Sequence, residues 1–508
     1  KKEQPLKVHS NSSESYNQPF SLLKLNDALQ EAHNTSVGPD NIHYQFLKHL
    51  PHTSLRLLLD IFNNIWLSGN VPKSWKEAIV IPVPKPGKDN TDPTNYRPIA
   101  LTSCLCKTLE RMINARLVYF LESNYLITPL QIGFRHGRST TDYLVRFETF
   151  ICDAFIKKEH LVAVFFDLEK AYDTTWKYGI MKDPYDLGLK GHLPSFISNF
   201  LSDRNLKVRV GSTLSESHEQ EMGVPQSSIL SVTLFNIKIN NITKCLSPGT
   251  DCSLYVDDFL ICYRSKHMQT IERQLQQNIN KLHHWATENG FTFSKSKTVC
   301  MHFCQLRKQH EDPNLTLDGI PIPVAEENKF LGILFDRKLT FIPHINNLKA
   351  KCLKALDLLK VVAHTDWGAD RKVLLNLYRA LIRAKLDYGC LVYGSARKSY
   401  LNMLDTIHHQ GLRLALGAFK SSHVENLYAE ANEPSLSLQR EKLSLQYALC
   451  LKCNPSNPAY ATVFNPNYDT MYSAKPNAIP TFGIRIAPLL NGANIDLTKI
   501  DTDSVSSI

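Results

Sequence analysis

The run Leu161-Val162-Ala163-Val164-Phe165-Phe166 constrains the fold most, because it is apolar without interruption and stops at Asp167. An unbroken β-prone stretch with no polar alternation describes a strand covered on both faces. Such a strand lies inside a sheet and delivers the acid that ends it to the rim. Two further β-prone runs, Ser253-Leu254-Tyr255-Val256 and Phe259-Leu260-Ile261-Cys262-Tyr263, flank Asp257-Asp258, the pattern of a hairpin with two acids at its tip. If these strands share one sheet, three carboxylates converge at its edge, where they raise one another's pKa values unless cations neutralise them. Hard divalent cations take oxygen ligands, and Mg²⁺ pairs a few carboxylates with substrate phosphate oxygens. Two such ions about 4 Å apart activate an attacking hydroxyl and steady the leaving group of an in-line displacement. Asp-Asp pairs are common in solvated turns; the apolar flanks and the matching third acid set this one apart.

The remainder of the chain is ordinary globular sequence. Hydrophobic residues make up 43% of its 508 positions, which excludes disorder for most of the chain. Its longest apolar runs fall far short of the roughly 20 residues a membrane span needs. A formal net charge of +10 points weakly to a polyanionic partner. The 12 Cys follow no spacing framework, as expected of reduced intracellular thiols. Lys1-Lys2-Glu3-Gln4 offers neither an initiator Met nor a signal-peptide core, so the chain is expected to be a piece whose start lies upstream.

Residues 1–20 are polar and read as a flexible lead-in. Leu22, Leu25 and Leu29, then Leu55, Leu58, Leu59, Phe62 and Trp66, recur at helical spacing, as do Leu105, Leu109, Met112, Ile113 and Leu117. Between them Ala78-Ile79-Val80-Ile81-Pro82-Val83 is β-rich and ends in the basic turn Lys85-Pro86-Gly87-Lys88. Beyond about 345 only helical periodicity remains, a helical unit after a mixed one. The Asn-, Pro- and Ser-rich stretch 451–508 reads as a linker-like tail.

These residues carry a resemblance. Phe165-Phe166-Asp167-Leu168-Glu169-Lys170-Ala171-Tyr172-Asp173, Gly223-Val224-Pro225-Gln226-Ser227-Ser228-Ile229-Leu230 and Tyr255-Val256-Asp257-Asp258 resemble successive reverse-transcriptase motifs, in the family's order. Asn95-Tyr96-Arg97-Pro98-Ile99-Ala100-Leu101 and Gln131-Ile132-Gly133-Phe134-Arg135-His136-Gly137-Arg138-Ser139-Thr140-Thr141-Asp142 are similar to motifs of its non-LTR (LINE) branch, nearest the jockey-like elements. Five ordered motifs over roughly 35–450 are specific where any one is weak.

The resemblance implies an α+β right-hand polymerase: an N-terminal extension and fingers over 21–155, a palm over 156–340, a helical thumb over 341–450, and a reverse transcriptase domain about 78–340. It implies RNA-directed DNA synthesis, with an RNA template, a DNA primer or target, and deoxynucleoside triphosphates. Asp167, Asp257, Asp258 and the Leu168 carbonyl would hold two Mg²⁺, for which Mn²⁺ can substitute. Lys297, with Lys295 a close second, would protonate the pyrophosphate leaving group. Tyr172 would crowd a ribose 2′-hydroxyl; a core aromatic is its bland alternative. Gln226 would contact nucleotide or template. Arg97, with Lys85 or Lys88, would grip the triphosphate, though a solvated loop suits the two lysines equally. Arg135 and Arg138 would contact a nucleic-acid backbone. Phe330-Leu331-Gly332-Ile333-Leu334-Phe335-Asp336 resembles the hairpin that grips the primer end, with Gly332 at its turn. A parent element would work as a ribonucleoprotein in nucleus and cytoplasm and would supply an endonuclease region not recognised in this chain.

Some positions depart from the pattern. Ser227 stands where the family has Gly, a residue that permits positive φ and close approach. Val232 replaces a usual Pro, and Pro184 interrupts the helical stretch 176–187. A partly degenerate copy that binds nucleic acid and polymerises slowly is therefore the rival expectation. An RNA-dependent RNA polymerase is disfavoured by Tyr172, and a helical scaffold leaves the strand-end acids unexplained. Cys450 and Cys453 have zinc-like spacing without a second pair and read as helical thiols, while His283-His284 and His408-His409 read as surface or packing residues.

Overall fold

The computed structural model describes residues 14–306, 310–364, 366–475 and 477–493. Two compact units emerge. One comprises the chain to Phe134, Leu168–Leu246 and Lys281–Ser294; the other comprises Arg135–Asp167, Ser247–Asn280 and the chain from Lys295 onward.

In the first unit, the amphipathic helices Leu22–Gln30, His52–Ser68, Cys104–Ser123, His192–Leu201 and Ile229–Ile239 bury one shared core that includes Leu25, Phe62, Trp66, Ile113 and Phe196. The Ser21 hydroxyl accepts from Lys24 N to start the first helix, and Gly69, at φ 70°, ends the second. A five-stranded sheet is built on Glu77–Pro84, which runs antiparallel to Tyr96–Leu101 and parallel to Asn205–Val210. The helix Lys177–Asp186 holds Pro184 and ends two residues later. The lead-in is packed from residue 14: Trp66 donates to the Asn17 carbonyl, and Asn63 pairs with the Phe20 backbone. Expected flexibility is thus corrected over 14–20, where Phe20 and Asn17 are buried; residues 1–13 lie outside the described residues.

The second unit is centred on the strand His160–Phe166, buried along its whole length. Its sheet runs Asp251–Tyr255, Asp258–Ser265, His160–Phe166, Val299–Phe303, antiparallel throughout. The helix Thr140–Ile156 covers one face, its Phe147 ring meeting Phe165, Phe303, Phe330 and Phe335. The helices Ile342–Val362, Arg371–Tyr378, Lys398–Leu416 and Leu436–Lys452 follow.

The stretch 451–508 is not a linker where it is described. Helices Ala459–Phe464, Asp469–Ser473 and Phe482–Gly492 bury Val463, Tyr472, Phe482, Ile486 and Leu490. Arg485 donates two bonds, of 2.7 and 3.0 Å, to the fully buried Glu148, and Tyr472 donates to Asp153 at 3.1 Å. The sparse apolar residues of a polar stretch are the ones that pack, which average composition hides. Residues 494–508 lie outside the described residues.

Candidate active site at a sheet edge

The central strand pairs Phe166 with Phe259, so the next step of the register sets Asp167 beside Asp258. Asp258 in turn pairs with Tyr255, leaving Val256-Asp257 as a two-residue turn. All three acids therefore stand on one edge of one sheet. Val256 is buried at φ 60°, a left-handed conformation that a β-branched residue adopts only at a cost of about 1–2 kcal/mol. The packing around the buried Val256 side chain and the flanking strands hold the tip against that strain.

Asp257 and Asp258 reach solvent, and Asp167 is half-buried. Surrounding protein, then repulsion from Asp257 and Asp167, pushes the Asp258 carboxyl up to about 6. The same crowding and the charge of Asp167 raise Asp257. Lys297 places Nζ 2.9 Å from Asp167 Oδ2, a cation against the acid edge. Lys295, the close second in sequence, pairs instead with Asp318 at 2.6 Å. Carboxylates in mutual repulsion are a donor set that suits a hard cation, and the Lys297 ammonium already pairs with one of them. Leu168, next in the chain, is buried and bridges Phe293.

The first unit holds the other motif residues. Tyr172 is half-buried, its ring stacked on Phe235 with centroids 4.7 Å apart. Gly223, at φ 79°, lies where a Cβ would meet the Tyr172 carbonyl oxygen at 2.5 Å, so only glycine fits. Gln226 donates to Asp173 at 2.6 Å, and both line a cavity of about 250 Å³ with Val80, Pro98, Arg204 and Pro225. Ser227 has φ 64°, the left-handed conformation that glycine suits. Just beyond, the Glu110 carboxylate accepts from the Ser228 hydroxyl and from Ile229 N at 2.9 Å, capping the following helix with a buried acid. Lys85 donates to the Thr94 carbonyl at 2.8 Å, while Arg97 and Lys88 are exposed.

In the second unit Arg138 donates to the Ser456 carbonyl at 2.8 Å, giving it an intramolecular partner; Arg135 lies three residues earlier, half-buried. Gly332 and Leu331 form the turn between Glu327–Phe330 and Ile333–Asp336, with φ 86° and 44°. Tyr388 donates to the Leu331 carbonyl at 2.7 Å, and a Cβ on Gly332 would meet its ring at 2.7 Å. His408 is buried between Tyr378 and the Pro434 carbonyl. Sequence reading assigned no role to Asp173, Glu110, Gly223 or Tyr388. Asp173 and Gly223 lie inside the motifs quoted above, and Glu110 leaves a signal of its own, an acid between Leu109 and Met112 on an apolar helix face.

Comparison with known proteins fits this geometry. Residues 83–335 match the family model for reverse transcriptase (RNA-dependent DNA polymerase). The chain is 29% identical over 419 residues to a probable RNA-directed DNA polymerase from transposon X-element of Drosophila melanogaster, covering 78% of the chain and 44% of that protein. It is 29% identical over 434 residues to the RNA-directed DNA polymerase from mobile element jockey of the same organism, covering 83% and 46%. A probable RNA-directed DNA polymerase from transposon BS is 29% identical over 390 residues, covering 74% and 42%. The chain thus spans less than half the length of these relatives. Among the described residues no helix is long and apolar enough to cross a membrane.

Proposed function

We propose, for a chain that belongs to the reverse transcriptase family, that it extends a DNA primer along an RNA template as part of a non-LTR retrotransposon. What carries this reading is the register that stands Asp167 beside Asp258, with Asp257 at the adjoining turn. Asp167, Asp257, Asp258 and the Leu168 carbonyl would hold two Mg²⁺, or Mn²⁺ in their place. Bound there, the ions would neutralise the acids and the phosphate charge and lower the pKa of the primer hydroxyl. Lys297 holds a proton at Nζ on the acid edge and would pass it to the departing pyrophosphate. Tyr172, stiffened by Phe235, would exclude a 2′-hydroxyl, and Gln226, oriented by Asp173, would contact nucleotide or template. Arg97 and Lys85 would bind the triphosphate; Arg135, Arg138 and the Gly332 turn would bind the nucleic-acid backbone.

Fingers, palm and thumb divide at 155, 340 and 450 in this proposal. The chain would act as a ribonucleoprotein in nucleus and cytoplasm, with target nicking supplied by an element-encoded endonuclease region. Primer extension on an RNA template with deoxynucleotides and Mg²⁺ tests the activity. Extension that survives Asp257→Ala would overturn it.

One observation favours a second reading, a partly degenerate copy that binds nucleic acid but turns over slowly: Ser227 occupies a left-handed position. Salt-sensitive binding without extension under Mg²⁺ or Mn²⁺ would favour that reading.

A further inference from the structure

Away from the acid edge, the central strand begins with a different cluster. Leu161 pairs with Phe303, so the next step back sets His160 beside Cys304. Among the described residues, His160, Cys304 and His310 form a trio whose ligand atoms all lie within 4.8 Å of one another. We propose that these three side chains bind a zinc-class divalent cation, with His302 and Asp312 orienting His160.

The hydrogen bonds decide which nitrogen is offered. His302 Nδ1 lies 3.0 Å from Asp312 Oδ1, and a carboxylate there accepts the ring proton. Arg337 Nη2 is 3.1 Å from the same nitrogen but directs a proton to Asp312, while Nη1 pairs with Glu326 at 2.7 Å. His302 Nε2 therefore carries a lone pair and accepts from His160 Nδ1 at 2.9 Å. That leaves His160 Nε2 as the ligand atom. A carboxylate behind a histidine is the arrangement that orients and strengthens metal ligands, here extended by one ring.

The other two ligands are suitably placed. His310 Nε2 is shut from solvent and has no hydrogen-bond partner among the described residues, a buried acceptor that a cation would satisfy. Cys304 is a free thiol. A cleft lined by His302, Cys304, His310, Asp312 and Arg337 gives an ion a path in.

Two imidazoles and a thiolate select zinc over magnesium and leave a fourth, tetrahedral position to water. Bonds of about 2.0 Å to nitrogen and 2.3 Å to sulfur put tetrahedral ligands roughly 3.5 Å apart. Closure from the 4.8 Å bound then requires a contraction of at most about 1.3 Å. His160 begins the strand and Asp167 follows its last residue, about 23 Å apart at 3.3 Å per residue, so this site is separate from the acid edge.

The full chain, stripped of metal and held in excess Mg²⁺ to occupy oxygen-ligand sites, is titrated with Co²⁺. One equivalent should give strong tetrahedral d–d bands and a thiolate-to-cobalt charge-transfer band, both lost on adding Zn²⁺. Cys304→Ser should remove the charge-transfer band, and His310→Ala, outside the sheet, should weaken Co²⁺ binding at least tenfold. Cys450→Ser, at an exposed helical thiol, should leave the spectrum unchanged. Zn²⁺ should raise the Tm of the parent chain but not of His310→Ala. A charge-transfer band that survives Cys304→Ser, or equal Co²⁺ affinity in the parent and His310→Ala, would overturn the proposal.

Discussion

Lys297 and Asp167 form an ion pair, Nζ to Oδ2 at 2.9 Å, whereas Lys295, two residues earlier, pairs with Asp318 at 2.6 Å. A proton donor must lie where charge develops, and only Lys297 touches the acid edge. Lys297→Met should lower the single-turnover extension rate by about 100-fold, the usual weight of a general acid. Lys295→Met should leave it unchanged. The reverse ranking would assign the proton to Lys295.

Asp258 has a sign that can be checked by stability. Its carboxyl is raised from 3.8 to about 6, by surrounding protein and then by Asp257 and Asp167. A raised acid costs the fold nothing below about pH 4, costs progressively more between pH 4 and 6, and costs its full amount above that. Asp258→Asn should therefore raise metal-free stability at pH 7.5 by about 1 kcal/mol, discounted for an exposed side chain, and not at all at pH 4. Excess Mg²⁺ should shrink the gain, because the ion removes the same repulsion. Thermal unfolding at the two pH values, with and without Mg²⁺, reads both effects.

Tyr172 is held by its stack on Phe235, so its ring is a rigid obstacle. Tyr172→Ala should raise ribonucleotide incorporation, relative to deoxynucleotide, by at least about tenfold, as the loss of a steric contact in a specificity pocket does. Tyr172→Phe should keep the discrimination. Competition assays with the two nucleotide classes decide whether the ring is a gate or only core.

Where a residue's role depends on its immediate strand, the sequence was a good guide. The unbroken run 161–166 is β-prone and ends at an acid, and two β-prone runs flank Asp257-Asp258, so the strand and the hairpin that form the acid edge were legible. Long-range partners were not. Nothing local says that Glu110 caps a helix 119 residues away, or that Arg485 answers a buried Glu148. The same blindness misread the tail: its apolar residues are too widely spaced to set a period, yet in its described part Val463, Phe482, Ile486 and Leu490 are buried, on helices that pack against Thr140–Ile156.

That tail supplies a stability test. Glu148 is fully buried and its carboxyl is raised by burial against the opposing charge of Arg485. Arg485→Met would strand the acid, which should destabilise the chain by about 3–5 kcal/mol in urea unfolding. Arg485→Met combined with Glu148→Gln should recover much of that loss, since no uncompensated charge remains. A loss below about 1 kcal/mol in the single variant would show that the pair is not what fastens the tail.

Ser227 is the position where stability and rate should move together. At φ 64° its Cβ is strained by about 1–2 kcal/mol relative to a right-handed conformation. Glycine would lose that strain but bring a more flexible unfolded chain, so Ser227→Gly should gain up to about 1 kcal/mol. The side chain is exposed, so little packing is forfeited. The rate effect follows from the neighbours: Gln226 is anchored on Asp173 and Ser228 on Glu110, which leaves Ser227 the one residue between two fixed points. If the parent chain is slow because a Cβ intrudes there, Ser227→Gly should speed primer extension, and Ser227→Val should slow it and destabilise the fold. Equal extension rates for the parent and Ser227→Gly would clear this residue, whatever its Tm does.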